Sequence, residues 1–146
     1  MLLKGKLQIE SRDALKAGDK ARVSALRFLI SLLDKKEMQL PPGEMTEAEA
    51  LSVLAKELKN KNEARAIFEK AGRSDLVEES DYEISVLEKY LPEQMSEEGV
   101  EKVVVEVLSD NKEANFGQLM GIVMAKLQGK ADGAMVAKVL KAKTSE

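Results

Sequence analysis

All three prolines of this chain fall at two places, Pro41-Pro42 and Pro92, and that placement restricts the fold more than any other feature. Proline lacks the amide N–H and pushes the preceding residue out of the α region, so a helix must stop at each place. The segments between carry Leu, Val, Ile, Ala and Met at helical spacing. The 146 residues include three Phe, two Tyr and no Trp, so the core is aliphatic. Such a chain suits a helical protein of one ordinary domain, or one domain with a small appendage.

Leu3, Leu7 and Ala14 stripe a first helix over residues 2–16, with Gly18 as its left-handed terminating residue and Asp19 as the next cap. The second helix presents Val23, Leu26, Leu29, Ile30 and Leu33, widened by Ala25, Phe28 and Leu32. That width predicts neighbours on more than one side. After Pro41-Pro42-Gly43, Thr46 and Glu49 are spaced for a reciprocal capping box. The helix they open is predicted to reach Ala71, with one stripe at Leu51, Leu54, Ala55 and Leu58 and another at Ala64, Ile67, Phe68 and Ala71. Between the stripes, residues 59–63 have no apolar member.

Ser74 is the expected cap of a fourth helix, in which Val77, Ile84 and Leu91 recur at seven, with Ser80 and Leu87 in the seam. Pro92 closes it. Ser96 caps a fifth helix, although Gly99 stands where a capping box would have Glu. Its run Val103-Val104-Val105-Glu106-Val107 favours strand by local propensity. Helix is still the better reading, because Val100, Val103, Val104, Val107 and Leu108 share one face and no second strand is available. Asn115 and Gln118 form a capping pattern for helix six (Leu119, Met120, Val123, Leu127 inward). Asp132 caps helix seven (Met135, Val136, Val139, Leu140 inward). The expected fold is all-α: a four-helix bundle over residues 1–94, then a three-helix unit over residues 95–146.

The chain has no Cys and no His. That count excludes disulfides, thiolate nucleophiles, Ser-His and Cys-His dyads, and zinc sites built on those ligands. No calcium-loop pattern is visible, so neither metal nor cofactor is expected. The adjacent carboxylates Glu78/Glu79 and Glu97/Glu98 read as solvated helix faces, without the cleft that general acid–base work needs. No apolar run approaches the ~18–20 residues that cross a bilayer. Met1-Leu2-Leu3-Lys4 meets charge too soon for a signal peptide. A soluble, cytoplasmic protein without a membrane partner is the expectation.

The net charge of −3 is unevenly distributed. Residues 1–73 carry 15 Lys/Arg against 11 Asp/Glu, residues 74–111 carry 2 against 12, and residues 112–146 carry 6 against 3. Two basic clusters follow from this. One is Lys56, Lys59, Lys61 and Arg65 on the third helix. The other surrounds the turn Gly129-Lys130-Ala131-Asp132-Gly133, where Gly129 and Gly133 flank Lys130, with Lys126, Lys138 and Lys141 on the adjoining helices. Backbone N–H groups at a helix start attract phosphate, and lysine contacts to phosphate need only charge and reach. A P-loop is excluded, since no G-x-x-x-x-G-K-[ST] and no preceding strand exist. The scarcity of aromatic residues disfavours stacking on single-stranded bases.

Three blocks together carry a family resemblance: Ala71-Gly72-Arg73-Ser74-Asp75-Leu76; Leu87-Glu88-Lys89-Tyr90-Leu91-Pro92-Glu93-Gln94; and Gly117 through Leu140, with Met124 and Gly129-Lys130-Ala131-Asp132-Gly133. In these residues and their spacing the chain resembles the GatB/YqeY family over essentially its whole length. The resemblance implies a helical bundle followed by a three-helix tail. It also implies a link to the B subunit of the glutamyl/aspartyl-tRNA amidotransferase, whose similar tail helps recognise tRNA while chemistry occurs in a separate, larger domain. This chain has no room for that domain, and it has Asp132-Gly133 where a proline commonly follows the Gly-Lys-Ala segment. The implied function is a noncatalytic module binding tRNA or another structured RNA. The alternatives are an adaptor for a larger protein partner, or an amidotransferase accessory grouped by family with glutamine-dependent carbon–nitrogen ligases.

Overall fold

The computed structural model of the chain describes residues 2–145. Its elements are α1 (Leu3–Lys16), α2 (Lys20–Met38), α3 (Glu47–Lys70), α4 (Ser74–Glu88), α5 (Glu97–Asp110), α6 (Phe116–Leu127) and α7 (Gly133–Thr144), with no strand among the described residues. The all-α reading holds, including α5, whose valine run is helical. Val100, Val104 and Val107 of that helix are fully buried, so burial of one helical face outweighs the β preference of each residue. No described helix is long and apolar enough to cross a membrane.

The bundle is assembled from two tight helical hairpins. At each hairpin turn a glycine with positive φ ends the first helix, Gly18 (φ 75°) after α1 and Gly72 (φ 71°) after α3. The N–H of Asp19 returns to the carbonyl of Ala14, and that of Arg73 to the carbonyl of Phe68, both at 3.0 Å. Each turn thus satisfies the last carbonyls of its helix by the bond pattern of a Schellman motif. After Gly18 the expected cap is present, with Asp19 accepting from the N–H of Arg22 at 3.1 Å. After Gly72 the expected cap is wrong. Arg73 already closes the preceding turn and its carbonyl accepts the first N–H groups of α4. Ser74 therefore lies inside the helix instead of capping it, and Arg73 makes no side-chain cap bond.

Two further expectations need correction. Thr46 accepts from the N–H of Glu49 at 3.1 Å, but the Glu49 carboxylate does not reach back to Thr46; its Oε2 is buried without a hydrogen-bond partner among the described residues. The reciprocal box occurs at Asn115 and Gln118, where both bonds are made. The second stripe of α3 is also not core. Ile67 is 65% exposed and Ala71 is exposed, with Ala64 and Phe68 only partly covered. Beyond Leu58 that helix meets α4 through ion pairs rather than apolar packing.

Buried side chains fall into two clusters. One gathers Leu3, Leu7, Leu26, Leu33, Leu54 and Leu87 from the first four helices. The other gathers Val100, Val104, Val123, Leu127, Val136 and Leu140 from the last three. α1 has no side-chain cap of its own; its start is closed from a distance, with the N–H of Leu3 donating to both oxygens of Glu47 at 3.0 and 3.3 Å. That carboxylate sits in the first turn of α3, so a loop-distant residue supplies the missing acceptor.

Tyr90 closes the opposite end of α4. It is buried, its hydroxyl donates to Glu10 of α1, and the Lys6 ammonium lies 5.6 Å from its ring centre. Burial, reinforced by the Glu10 carboxylate, pushes the phenol up to about 12. An acid whose folded pKa is raised contributes stability that is complete below the ordinary value of about 10 and is lost as pH rises through about 12. Denaturant midpoints are therefore expected to fall between these pH values more steeply for the native sequence than for Tyr90→Phe. At pH 7 that variant loses about 1–2 kcal/mol through the broken hydrogen bond to a carboxylate. Equal slopes in the alkaline range would show that the hydroxyl is not coupled to folding.

Candidate functional site

Two of the sequence blocks, far apart in the chain, meet in space. α6 ends in consecutive left-handed residues, Gln128 (φ 44°) and Gly129 (φ 84°). The turn they make brings the backbone against the middle of the chain. Gln94 donates its side-chain amide to the carbonyls of Pro92 at 3.0 Å and Gly129 at 2.8 Å. The N–H of Met95 donates to the carbonyl of Lys130 at 2.7 Å. The Leu-Pro-Glu-Gln segment and the Gly-Lys-Ala-Asp-Gly turn thus form one hydrogen-bonded junction. Met95 also explains the odd Gly99, since a Cβ there would lie 2.5 Å from Met95 Cγ; the cap from Ser96 to the N–H of Gly99 survives at 3.2 Å.

The same turn docks on α3. The N–H of Gly133 donates to Ser52 Oγ at 3.1 Å, and a Cβ on Gly129 would stand 2.8 Å from Leu51 Cβ. Asp132 is buried and caps α7 by accepting from the N–H of Met135 at 3.3 Å. Gly129 is accordingly buried and Gly133 half-buried. Both glycines serve packing between the bundle and the tail rather than presenting an open surface.

The four tail lysines are exposed but not equivalent. Lys126 pairs with Glu106 at 3.4 Å, and Lys138 with Glu97 at 3.3 Å. Lys130 at the turn and Lys141 on α7 have no ion pair among the described residues. The cluster on α3 divides in the same way. Lys61 pairs with Glu83 of α4 and with Glu57 at 3.8 Å, and its ammonium lies 5.4 Å from the Phe28 ring centre. Arg65 pairs with Asp81 and with Glu69 at 3.0 Å. Lys59 faces solvent and Lys56 faces away from α4, into a cleft toward the tail. Four acids of segment 74–111 are answered across helices: Asp81, Glu83, Glu97 and Glu106 each face a cation from a basic segment.

That cleft brings Lys56 together with Lys35 and Lys36 from the last turn of α2, beside Glu49 and Ser52 of α3 and the first residues of α7. Sequence reasoning did not single out Lys35, Lys36 or Glu49 as a group. Lysines in a last helical turn are the ordinary complement to the helix dipole, and Glu49 reads as half of a capping box. No local signal separates them from those roles.

The junction yields a test of its own. Gly129→Ala meets both a left-handed backbone and the Leu51 side chain, whereas Gly18→Ala meets only the backbone cost, with nothing within 4 Å. The Gly18 variant is expected to lose roughly 1 kcal/mol, and the Gly129 variant clearly more, as read by urea midpoints. Similar losses for both would show that the close approach to α3 contributes nothing.

Comparison with known proteins places the chain in a family. Residues 4–144 match the family described as Yqey-like protein. Over 127 residues the chain is 32% identical to altered inheritance of mitochondria protein 41, mitochondrial, of Kluyveromyces lactis, a match covering 85% of this chain and 68% of that protein. It is also 32% identical over 84 residues to uncharacterized protein C22F3.15 of Schizosaccharomyces pombe, covering 58% of this chain and 68% of that protein. With the match running nearly end to end, the chain belongs to the Yqey-like protein family.

Proposed function

We propose that the chain is a noncatalytic, tRNA-related binding protein whose tail touches the backbone of a structured RNA. The observation that carries this reading is the pair of unpaired, exposed lysines, Lys130 and Lys141, held on a tail whose position is set by the junction with α3. The similarity of that tail to the tRNA-recognising part of an amidotransferase subunit supplies the RNA class. Phosphate contacts of this kind position a protein on RNA without reading bases. A cytoplasmic location belongs to the same reading and rests on the absence of cysteine; the Kluyveromyces relative carries a mitochondrial name.

The ion pairs rank the lysines. An exposed pair is worth little, ~0–1 kcal/mol, yet Lys126 and Lys138 must leave a carboxylate to meet phosphate, and Lys130 and Lys141 need not. In filter binding with tRNA at low salt, Lys130→Ala and Lys141→Ala are expected to weaken binding more than Lys126→Ala and Lys138→Ala. Each lost phosphate contact should flatten the log–log salt dependence by about 0.9 of a unit on duplex-like RNA. Absence of tRNA binding at low salt, or indifference to all four substitutions, refutes the reading.

A second reading has one observation in its favour. Phe28 is 46% exposed and Tyr82 38% exposed, and both edge an apolar groove of about 330 Å³ between α2 and α4. An adaptor docking a larger protein, including an amidotransferase whose catalysis lies in the partner, would use such a face. Adding the protein to a reconstituted transamidation reaction separates the two accessory roles. Altered rate or tRNA selectivity supports the amidotransferase partner, and no change counts against it.

A further inference from the structure

Two grooves share α2 as their common wall. The one between α2 and α4 has Leu29, Val86 and Leu87 as its floor, with the exposed rings of Phe28 and Tyr82 at its edges. The other, about 460 Å³, lies across Ser24 toward the end of α1 and is lined by Leu15, Val23, Lys20 and Arg27. Leu15 there is 57% exposed. Between the grooves α2 makes a low, uncharged ridge of Ala21, Ser24 and Ala25. The two sides of this face differ in charge. α4 has six acids and no Lys or Arg. Its Glu79 lines the first groove and, like the neighbouring Glu78, has no ion pair among the described residues. Lys20 and Arg27 in the second groove have none either. α2 and α4 run antiparallel, since Arg22 near the start of α2 lies against Tyr90 beyond α4, while Phe28 and Glu83 both meet Lys61.

We propose that this face binds a second copy of the chain, about a two-fold axis parallel to α2. An apolar face with a basic edge and an acidic edge is complementary to itself, as an isologous contact requires. A two-fold axis running across the helices would lay α4 on α4 and set acid against acid. An axis running along them exchanges the two edges instead. The α2 ridge of each copy then enters the α2–α4 groove of the other, in the manner of ridges-into-grooves packing. The acidic edge of each α4 meets Lys20 and Arg27 of the other copy. Small side chains at Ala21, Ser24 and Ala25 let the two α2 helices approach closely, and Phe28 and Tyr82 leave water. A second copy here occupies the groove that an adaptor would offer to a different protein. Lys126, Lys130, Lys138 and Lys141 take no part, so tRNA binding by the tail stands or falls separately.

Sedimentation velocity of the full chain from about 1 to 500 µM tests this, with a reversible shift from monomer to dimer expected in that range. Amide shifts of the isotopically labelled native chain that depend on its concentration should centre on Ser24, Phe28, Glu79 and Tyr82. Glu79→Lys and Arg27→Glu, both at exposed positions, each set like charges together twice per dimer and should weaken it about tenfold or more. An equimolar mixture of these two variants should recover association, because the mixed dimer has one native Arg27–Glu79 contact and one reversed contact. A chain that stays monomeric up to about 500 µM overturns the proposal. So does a dimer whose concentration-dependent shifts centre elsewhere, or one indifferent to both charge reversals, or reversals that their mixture does not rescue. The native chain decides by itself, through its mass and the place of its shifts, even where a variant fails to fold.

Discussion

The close approach of the α6–α7 turn to α3 is the contact on which the arrangement of the molecule depends. Its two hydrophobic clusters are built from different helices, so neither one dictates where the other sits. Directional bonds do that instead: Ser52 Oγ to the N–H of Gly133, Gln94 to the Gly129 carbonyl, and the Met95 N–H to the Lys130 carbonyl. They are possible because Gly129 takes a positive φ and has no Cβ to meet Leu51. A three-helix unit of about 50 residues is marginal by itself, and this docking gives it a neighbour.

Electrostatics follow from the same packing. A block of acidic sequence between two basic ones could have made a strongly polarised surface. The α3–α4 hairpin and the α5–α6 and α5–α7 contacts instead set Asp81 against Arg65, Glu83 against Lys61, Glu106 against Lys126 and Glu97 against Lys138. Among the cations left without an ion pair in the described residues are Lys130 and Lys141 on the tail.

Much of this was legible in local sequence because its causes are local. Glycine at the end of an apolar stripe, proline after it, and an Asp or Asn before the next stripe each act within one helical turn. Hence the seven helices of the described residues, their order and most core positions follow from spacing alone. The misses share a physical reason as well. Ser74 has the chemistry of a cap, but the bonds that finish α3 use the backbone up to Arg73, and α4 begins one residue early. Glu49 has the spacing of a capping box, but its carboxylate makes no bond back to Thr46, and its Oε2 is buried without a partner among the described residues. Ile67 and Ala71 keep helical period where no neighbour arrives to cover them.

Residue chemistry by itself determined the all-α class, the exclusion of thiol and imidazole catalysis, and the positions where helices start and stop, since these depend on groups within a few residues of one another. Only the tertiary structure decided which lysines are neutralised, that Gly129 and Gly133 are packing residues, and that Glu49 Oε2 is buried without a partner among the described residues. Those properties belong to pairs of groups from different helices. Their separation is fixed by how the helices pack, and no spacing along the chain encodes it.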